Sequence, residues 1–486
     1  MVSVSKTGGS KQPASGAQLE KPTQNNLLVA QVQLDESLFA RIRYWTRYVL
    51  GVDRAIGFTV LARIWASGAG LVTVALIARF LSPAEQGYYY TFGSLVALQI
   101  VFELGFSFVI LQLASHERAR LSISRDYDIT GDSIAHARLA SVLQKSVRWY
   151  SIGAVLVAAT LIPSGFYFFS THQHAETVSW HLAWYCDAAM AALNFQLDPM
   201  LSFLEGCGYV SQVARLRFIQ SVVGSLLAWA ALASHHGLFA PSMMLLGMAS
   251  CSLLWLYRKR KLVFGLLRHN PGNNRIRWAE EVWPFQWRIA VSWFSGYFLF
   301  ALFNPVLFAY RGAIEAGQMG MSLSLVNAIQ SIAISWVSTK SAPFGVLIAG
   351  KKYRELDLTF SRALWQSLVV AVAGALTAWL ACIYLNWQHF RFAQRLLPPS
   401  SLGILMIYMI VNIIIFAQAY YLRAHKQEVF FLNSLVGAAA VAMSTFILGR
   451  RYGATGIVLS CCLLNFGGLA WATYKFRKYR SLWHAP

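Results

Sequence analysis

Arg63-Ile64, then Ser67-Gly68, Glu85-Gln86-Gly87 and Ser94-Leu95-Val96 form a spaced string. It returns later in the chain as Arg288-Ile289, Ser295-Gly296, Glu315-Ala316-Gly317 and Ser324-Leu325-Val326. In each copy the arginine stands near the start of a hydrophobic span, and the Glu-x-Gly follows that span's far end. The spacing slips by a few residues between arginine and glutamate. Matches among Ser, Leu and Val are cheap, so what gives the echo its weight is that both copies hold the same place in a membrane topology. A repeated half in a polytopic chain implies two lobes around a central path.

Around these strings the chain is too apolar for a water-soluble domain: 57% of its 486 residues are hydrophobic, 13% are charged, and mean hydropathy is +0.48. Crossing roughly 30 Å of hydrocarbon takes about 20 helical residues. Twelve segments qualify, at 56–80, 87–114, 149–170, 177–203, 216–234, 238–256, 285–310, 317–339, 363–385, 401–422, 429–448 and 454–474. The expected fold is an all-α integral membrane protein of about twelve transmembrane helices in two six-helix lobes. Both lobes would begin on the same side, which makes the repeat parallel, its pseudo-two-fold axis along the membrane normal.

A net charge of +21 would suit a nucleic-acid binder if it were gathered on one patch. It is instead spread over alternate loops: Arg41 to Arg54, Arg118 to Arg148, Arg258 to Arg277, Lys340 to Arg362 and Lys475 to Arg480. The loops between hold scattered arginines such as Arg79, Arg311, Arg391 and Arg395. This positive-inside distribution places both termini in the cytoplasm, and no nucleic-acid partner is expected.

Residues 1–34 are rich in Ser, Gly, Gln and Lys and read as a disordered cytoplasmic tail. Leu38, Ile42, Trp45 and Val49 then recur at helical spacing, with Arg43 and Arg47 turned away, so 35–55 reads as an amphipathic pre-membrane helix. The lobes would occupy 56–257 and 285–475. A basic cytoplasmic linker at 258–284, broken by Asn270-Pro271-Gly272-Asn273, joins them, and a tail at 476–486 follows.

The six cysteines lie in spans or at their cytoplasmic ends without a C-x-x-C pair, so neither disulfides nor structural zinc are expected. There is no Walker A loop, nucleophile elbow or metal-ligand cluster. The expected outer loops are short, the longest running from about Asn386 to Ser400, which leaves no room for an outer catalytic domain. The chain does not read as an enzyme, and no cofactor is expected.

Ionisable groups inside spans cost about 2.5–3.5 kcal/mol on insertion scales and so mark sites. Arg63 lies about 10 Å into the first span at 1.5 Å per residue, within reach of either snorkelling or lining a cavity. Arg288 is shallower, which favours snorkelling. On the fourth span Asp187, Asn194, Asp198 and Glu205 fall on one narrow helical stripe, which must face protein or water. On the eighth, Ser324, Asn327, Ser331, Ser335 and Ser338 form a second stripe beside Gly317 and Gly320, suited equally to a polar path and to close helix packing. On the second, Glu103 follows Gln99 by one turn and precedes Ser107 by another. It is either a carboxylate for ion coupling or an internal partner of Arg63.

The stretch Ile77-Ala78-Arg79-Phe80-Leu81-Ser82-Pro83-Ala84-Glu85-Gln86-Gly87, continuing to Phe102-Glu103-Leu104-Gly105, resembles polysaccharide and O-antigen flippases. In that family the first span ends in an R-x-L-x-x-x-E-x-G turn and the second carries an acidic-x-Gly. Twelve spans in two lobes are similar to the wider multidrug/oligosaccharidyl-lipid/polysaccharide exporter superfamily. The motif resemblance covers about 55–115, the topological one nearly the whole chain.

The resemblance implies a flippase in a bacterial cytoplasmic membrane. It would move a lipid-linked oligosaccharide of the undecaprenyl-pyrophosphate type by alternating access, beside other polysaccharide-assembly proteins. Arg63 and Arg288 would then suit the pyrophosphate, and Asn327, Ser331 and Ser335, with the rings of Trp180, Trp184 and Trp293, the glycan. Glu103, Asp187 and Asp198 would serve coupling to H⁺ or Na⁺. The fourth-span acids are less expected in a path for an anion. They would fit the rival reading within the superfamily, a cation-coupled multidrug antiporter. A third reading is a non-transporting scaffold of a polysaccharide-assembly complex.

Overall fold

The computed structural model describes residues 54–483, apart from 104, 125, 173–177, 284–285, 288–289, 291–296, 299–300 and 426–428. The tail expected at 1–34, nearly all of the helix expected at 35–55, and Arg288 and Trp293 lie outside the described residues.

Helix α1 (Arg54–Phe80) stops where Ser82-Pro83 starts the next. Ser82 Oγ accepts from the Glu85 amide at 3.1 Å, and Glu85 Oε2 accepts from the Ser82 amide at 2.7 Å. This reciprocal cap, with proline at the first helical position, makes the turn a sharp boundary. Helix α2 (Pro83–Val96) runs through short helical turns to Glu103 and, past Gly105 at φ 66°, continues as α3 (Phe106–Arg118), bent by 44°. A small antiparallel hairpin, β1 (Leu121–Ile123) with β2 (Ile129–Gly131), pairs Leu121 with Gly131.

Then come α4 (Ser133–Thr171), α5 (His181–Leu204), α6 (Val210–Ala233), α7 (Ala240–Arg258) and the short α8 (Arg260–Arg268). The second half has α9 (Phe303–Arg311), α10 (Ala313–Ser338), α11 (Ser341–Ala349), α12 (Tyr353–Trp387), α13 (Pro399–Ala424) and α14 (Phe431–Trp483).

Among the described residues eight helical stretches are long and apolar enough to cross a membrane, and nine if α2–α3 is one bent span. Two of the stretches, His181–Ala233 and Phe431–Trp483, hold 53 residues each and carry two expected spans apiece. Each breaks at a glycine with left-handed backbone, Gly208 at φ 97° and Gly453 at φ 64°. In α14 the fold-back brings Ser444 and Ser460 Oγ within 3.4 Å, where a straight helix would part them by roughly 24 Å. Of the seventh expected span α9 is the continuous described part. The fold is an all-α membrane architecture of two helical lobes.

The structure departs from the sequence reading beyond the hydrocarbon. Helix α4 begins at Ser133, not near 149, because Asp132 Oδ1 caps it at 2.9 Å from the Ile134 amide, and its first turns bury Ala135, Leu139 and Leu143. That extension holds the linker. Gln144 Nε2 donates toward the carbonyls of Leu266, Leu267 and His269 at 3.1, 3.1 and 2.7 Å. Lys145 reaches the Ile276 carbonyl, and the ring of His136 stacks on His269 at 4.1 Å. Arg138 bridges Glu117 at 2.7 Å and Glu281 at 2.5 Å.

The Arg138 hydrogen bonds hold the Glu281 carboxyl below the usual glutamate range. A depressed carboxyl stabilises the docked linker above the unfolded value of about 4.3, and that contribution is lost as pH falls through the lower folded value. Hydrogen exchange over 270–282, corrected for intrinsic rates, should therefore rise on acidification below pH ~4. Glu281→Gln should raise it already at pH 7.

Candidate functional site

The two Glu-x-Gly triplets of the repeat meet each other. Helices α2 and α10 cross where Gly87 faces Ala313 and Gly317. A Cβ on Gly317 would lie 2.9 Å from the Gly87 amide nitrogen, and one on Gly87 would overlap the Ala313 carbonyl. Only residues without side chains permit this backbone approach. Gln86, buried at the same level, donates to the Gly317 carbonyl at 2.8 Å and to the Arg395 carbonyl at 3.0 Å. Arg395 returns the contact, donating to the Leu81 carbonyl at 2.5 Å. Two turns deeper, Asn304 on α9 donates to Ser94 Oγ at 3.1 Å. Every one of these bonds joins the first half of the chain to the second, so this end of the molecule is closed.

Aromatic packing thickens the closure. Tyr88 meets Phe308 edge-on at 4.8 Å between centroids, and Phe169 meets Phe308 at 5.3 Å. Trp180 and Trp184 belong to the same cluster, and both are fully buried, so neither offers a free face to a sugar.

At the opposite end Arg63 projects from α1, exposed, and donates to Ser338 Oγ at 3.3 Å. Helix α1 is held in place by two tryptophans. Trp65 donates to the Ser221 carbonyl at 3.3 Å, and Trp229 donates to Thr73 Oγ1 at 2.8 Å. Arg63 thus meets the polar stripe of α10. Along that stripe Ser324 is half-buried, Asn327 and Ser331 are exposed, and Ser335 and Ser338 are half-buried. The structure therefore brings Arg63 onto the same face as Asn327, Ser331 and Ser335. Of the expected pair of arginines only this one lies among the described residues.

The expected coupling residues fall within the first half, in two places. Glu103 is contacted by Ser107, whose hydroxyl shares a 3.1 Å hydrogen bond with Tyr150, and it interacts electrostatically with Asp198. Asp198 keeps an exposed surface although deeply inset. Asp187 sits apart, 1% exposed, and neither carboxylate oxygen has a hydrogen-bond partner. The other two stripe members are tied into packing. Asn194 donates to the Met190 and Leu245 carbonyls, both at 2.9 Å, and Glu205 pairs with Arg217 at 3.1 Å. Glu103 is held by these groups, and Arg63 by Ser338.

Neither a protein-family model nor a curated protein matches the chain. Solved structures do. An outward-facing multidrug resistance MATE family transporter of the MOP superfamily superposes with a TM-score of 0.55 at 12% identity, over 89% of this chain and 97% of that one. The MATE multidrug transporter DinF-BH gives 0.58 at 13% identity, over 89% and 97%. Lipid II flippase MurJ in an inward closed conformation gives 0.52 at 11% identity, over 87% of each chain. The chain has the fold these transporters share. At such identities the likeness is one of fold.

Gln86, Arg395 and Asn304 carry the closure, and sequence reasoning passed over them. Gln86 stands inside the repeated triplet where its counterpart is Ala316, and Arg395 reads as one more scattered loop arginine. The glycine contact can be tested directly. Gly87→Val must overpack a site where backbone faces backbone, a cost of about 1–3 kcal/mol. It should lower the thermal unfolding midpoint of the purified protein. Gly93→Val, on the same helix with open space around its Cβ, should leave the midpoint within a degree or so.

Proposed function

We propose that the chain is a membrane transporter that flips a lipid-linked oligosaccharide, a polysaccharide or O-antigen precursor on an undecaprenyl-pyrophosphate-type carrier, by alternating access of its two lobes. The observation that carries the reading is the meeting of Arg63 with the α10 stripe through Ser338. A guanidinium beside neutral hydroxyls and a carboxamide is what an anionic pyrophosphate followed by a polar glycan requires. The carboxylates Glu103, Asp187 and Asp198 belong to other helices of the first lobe, and Arg63 is held by Ser338 and not by any of them. One of the solved structures of this fold is a lipid II flippase, which is consistent with a lipid-linked cargo.

On this reading the protein sits in a bacterial cytoplasmic membrane with both termini inside, and the end carrying Arg63 faces the cytoplasm. The lobes at 56–257 and 285–475 are the moving units. Glu103 with Asp198, or the unpartnered Asp187, exchanges the coupling H⁺ or Na⁺. Other proteins of polysaccharide assembly act on either side of the transport step.

Arg63→Ala should abolish surface polysaccharide while the lipid-linked precursor accumulates on the inner leaflet. Arg63→Lys should retain part of the export, because a point cation replaces a bidentate one. Normal surface glycan in Arg63→Ala would overturn the cationic path. One observation favours a second reading. Asp187 is a buried carboxylate without a partner, as a cation-coupled multidrug antiporter would need. That reading expects drug sensitivity on deletion, cured by the wild type but not by Asp187→Asn, with surface glycan unaffected.

A further inference from the structure

Between α13 and the two limbs of α14 lies a cavity of about 180 Å³, and none of the residues assigned above lines it. Each of its three walls contributes an asparagine: Asn412 from α13, Asn433 from the first limb and Asn465 from the second. Asn465 is engaged, donating to the Tyr408 carbonyl at 3.1 Å. The other two are not fully used. Asn412, 7% exposed, has no partner for Nδ2, and Asn433 has none for either Nδ2 or Oδ1, although all three atoms are shut off from solvent. A buried amide left without a hydrogen bond keeps its full desolvation penalty, so these atoms are built for a partner that enters the cavity.

The walls say what kind of partner. Phe416, Phe430, Val441 and Leu464 make them largely apolar. Among the described residues Arg423 is the one charged side chain on the lining and is already partnered, and no acidic side chain lines them. A lining without a carboxylate disfavours a cation. A carboxamide presents both a donor and an acceptor, so its complement carries both. An engineered cavity of about 150 Å³ takes up benzene, which sets the scale at one six-membered ring. Water alone would need roughly six molecules at 30 Å³ each, with two to four polar partners apiece, more than these walls offer.

We propose that this cavity binds an uncharged, ring-sized amphiphile bearing both hydrogen-bond donors and acceptors, taken up from the bilayer past the exposed Leu464. The proposal stands independently of the transported substrate.

Benzamide is the probe, with toluene as the apolar ring and benzamidine and Na⁺ as the cations, each measured by equilibrium binding to the full chain in nanodiscs. Benzamide should bind saturably at one site, with toluene and benzamidine about tenfold weaker or worse. Asn433→Leu should weaken benzamide about tenfold. Gly437→Val should abolish binding with an unchanged unfolding midpoint, since Gly437 lines the cavity and a Cβ there meets nothing within 4 Å. Equal affinity for toluene would reduce the site to an apolar void. Preference for benzamidine or Na⁺ would make it a cation site. Absence of saturable benzamide binding to folded wild type would leave it filled with water. Each of these three outcomes overturns the proposal.

Discussion

Everything that joins the two halves of this chain at its closed end depends on one close backbone approach, Gly87 against Gly317 and Ala313. With any side chain there, α2 and α10 would stand further apart. Gln86 could then no longer span from its own helix to the Gly317 carbonyl at 2.8 Å and the Arg395 carbonyl at 3.0 Å. In hydrocarbon there is no hydrophobic drive between helices, so contact of this kind rests on small residues and on hydrogen bonds that lipid cannot replace. The aromatic cluster around Tyr88, Phe169 and Phe308 fills what the glycines leave. Closure is therefore a composite of shape and a few buried polar bonds.

The same constraint sorts the remaining polar groups. On the α10 stripe Ser324 is half-buried, Asn327 and Ser331 are exposed, and Ser335 and Ser338 are half-buried. At Gly317 the helix is pressed against α2, while Asn327 and Ser331 further along are exposed, so the two halves touch at one end of α10 and part toward the other. Arg63 stands at the parted end because Trp65 and Trp229 tie α1 to α6. The carboxylates Glu103, Asp187 and Asp198 lie on helices of the first lobe. A cation or proton bound there would act on the packing of that lobe, and through it on the interface.

How much of this was legible in the sequence follows from what hydropathy measures. The apolar stretches marked the spans because the bilayer sets their length. The chain reversals at Gly208 and Gly453 fell where two spans had been separated. The extension of α4 back to Ser133 was invisible, since residues such as Ala135 and Leu139 are buried by protein and interrupted by His136 and Arg138. The repeat was legible as matched triplets, but their meeting face to face was not, because a one-dimensional echo carries no information about contact between its copies. Trp180 and Trp184 read as sugar platforms by residue type and are fully buried. Exposure is a tertiary property. The fourth-span residues share a helical register, yet their surroundings differ: Asp187 lies near Tyr89 of α2, Asn194 is bonded to α7, and Glu205 is paired with Arg217 of α6.

On the proposed transport reading, energetic scale links closure to alternation. Opening the closed end breaks the bonds made by Gln86, Arg395 and Asn304, at about 0.5–1.5 kcal/mol net each. Their sum is of the order of the ~5.5 kcal/mol that turns a 1:99 population into 99:1. A ligand shifts such an equilibrium only by its difference in affinity between the two states. A bond between Arg63 and an anionic group would have to displace Ser338, which a charge-assisted, bidentate contact outcompetes. On that reading the closed end would be strong enough to hold against thermal motion and weak enough for a ligand bound at the far end to release. That balance would be lost if the seal were a large apolar interface instead of glycines and a few amides.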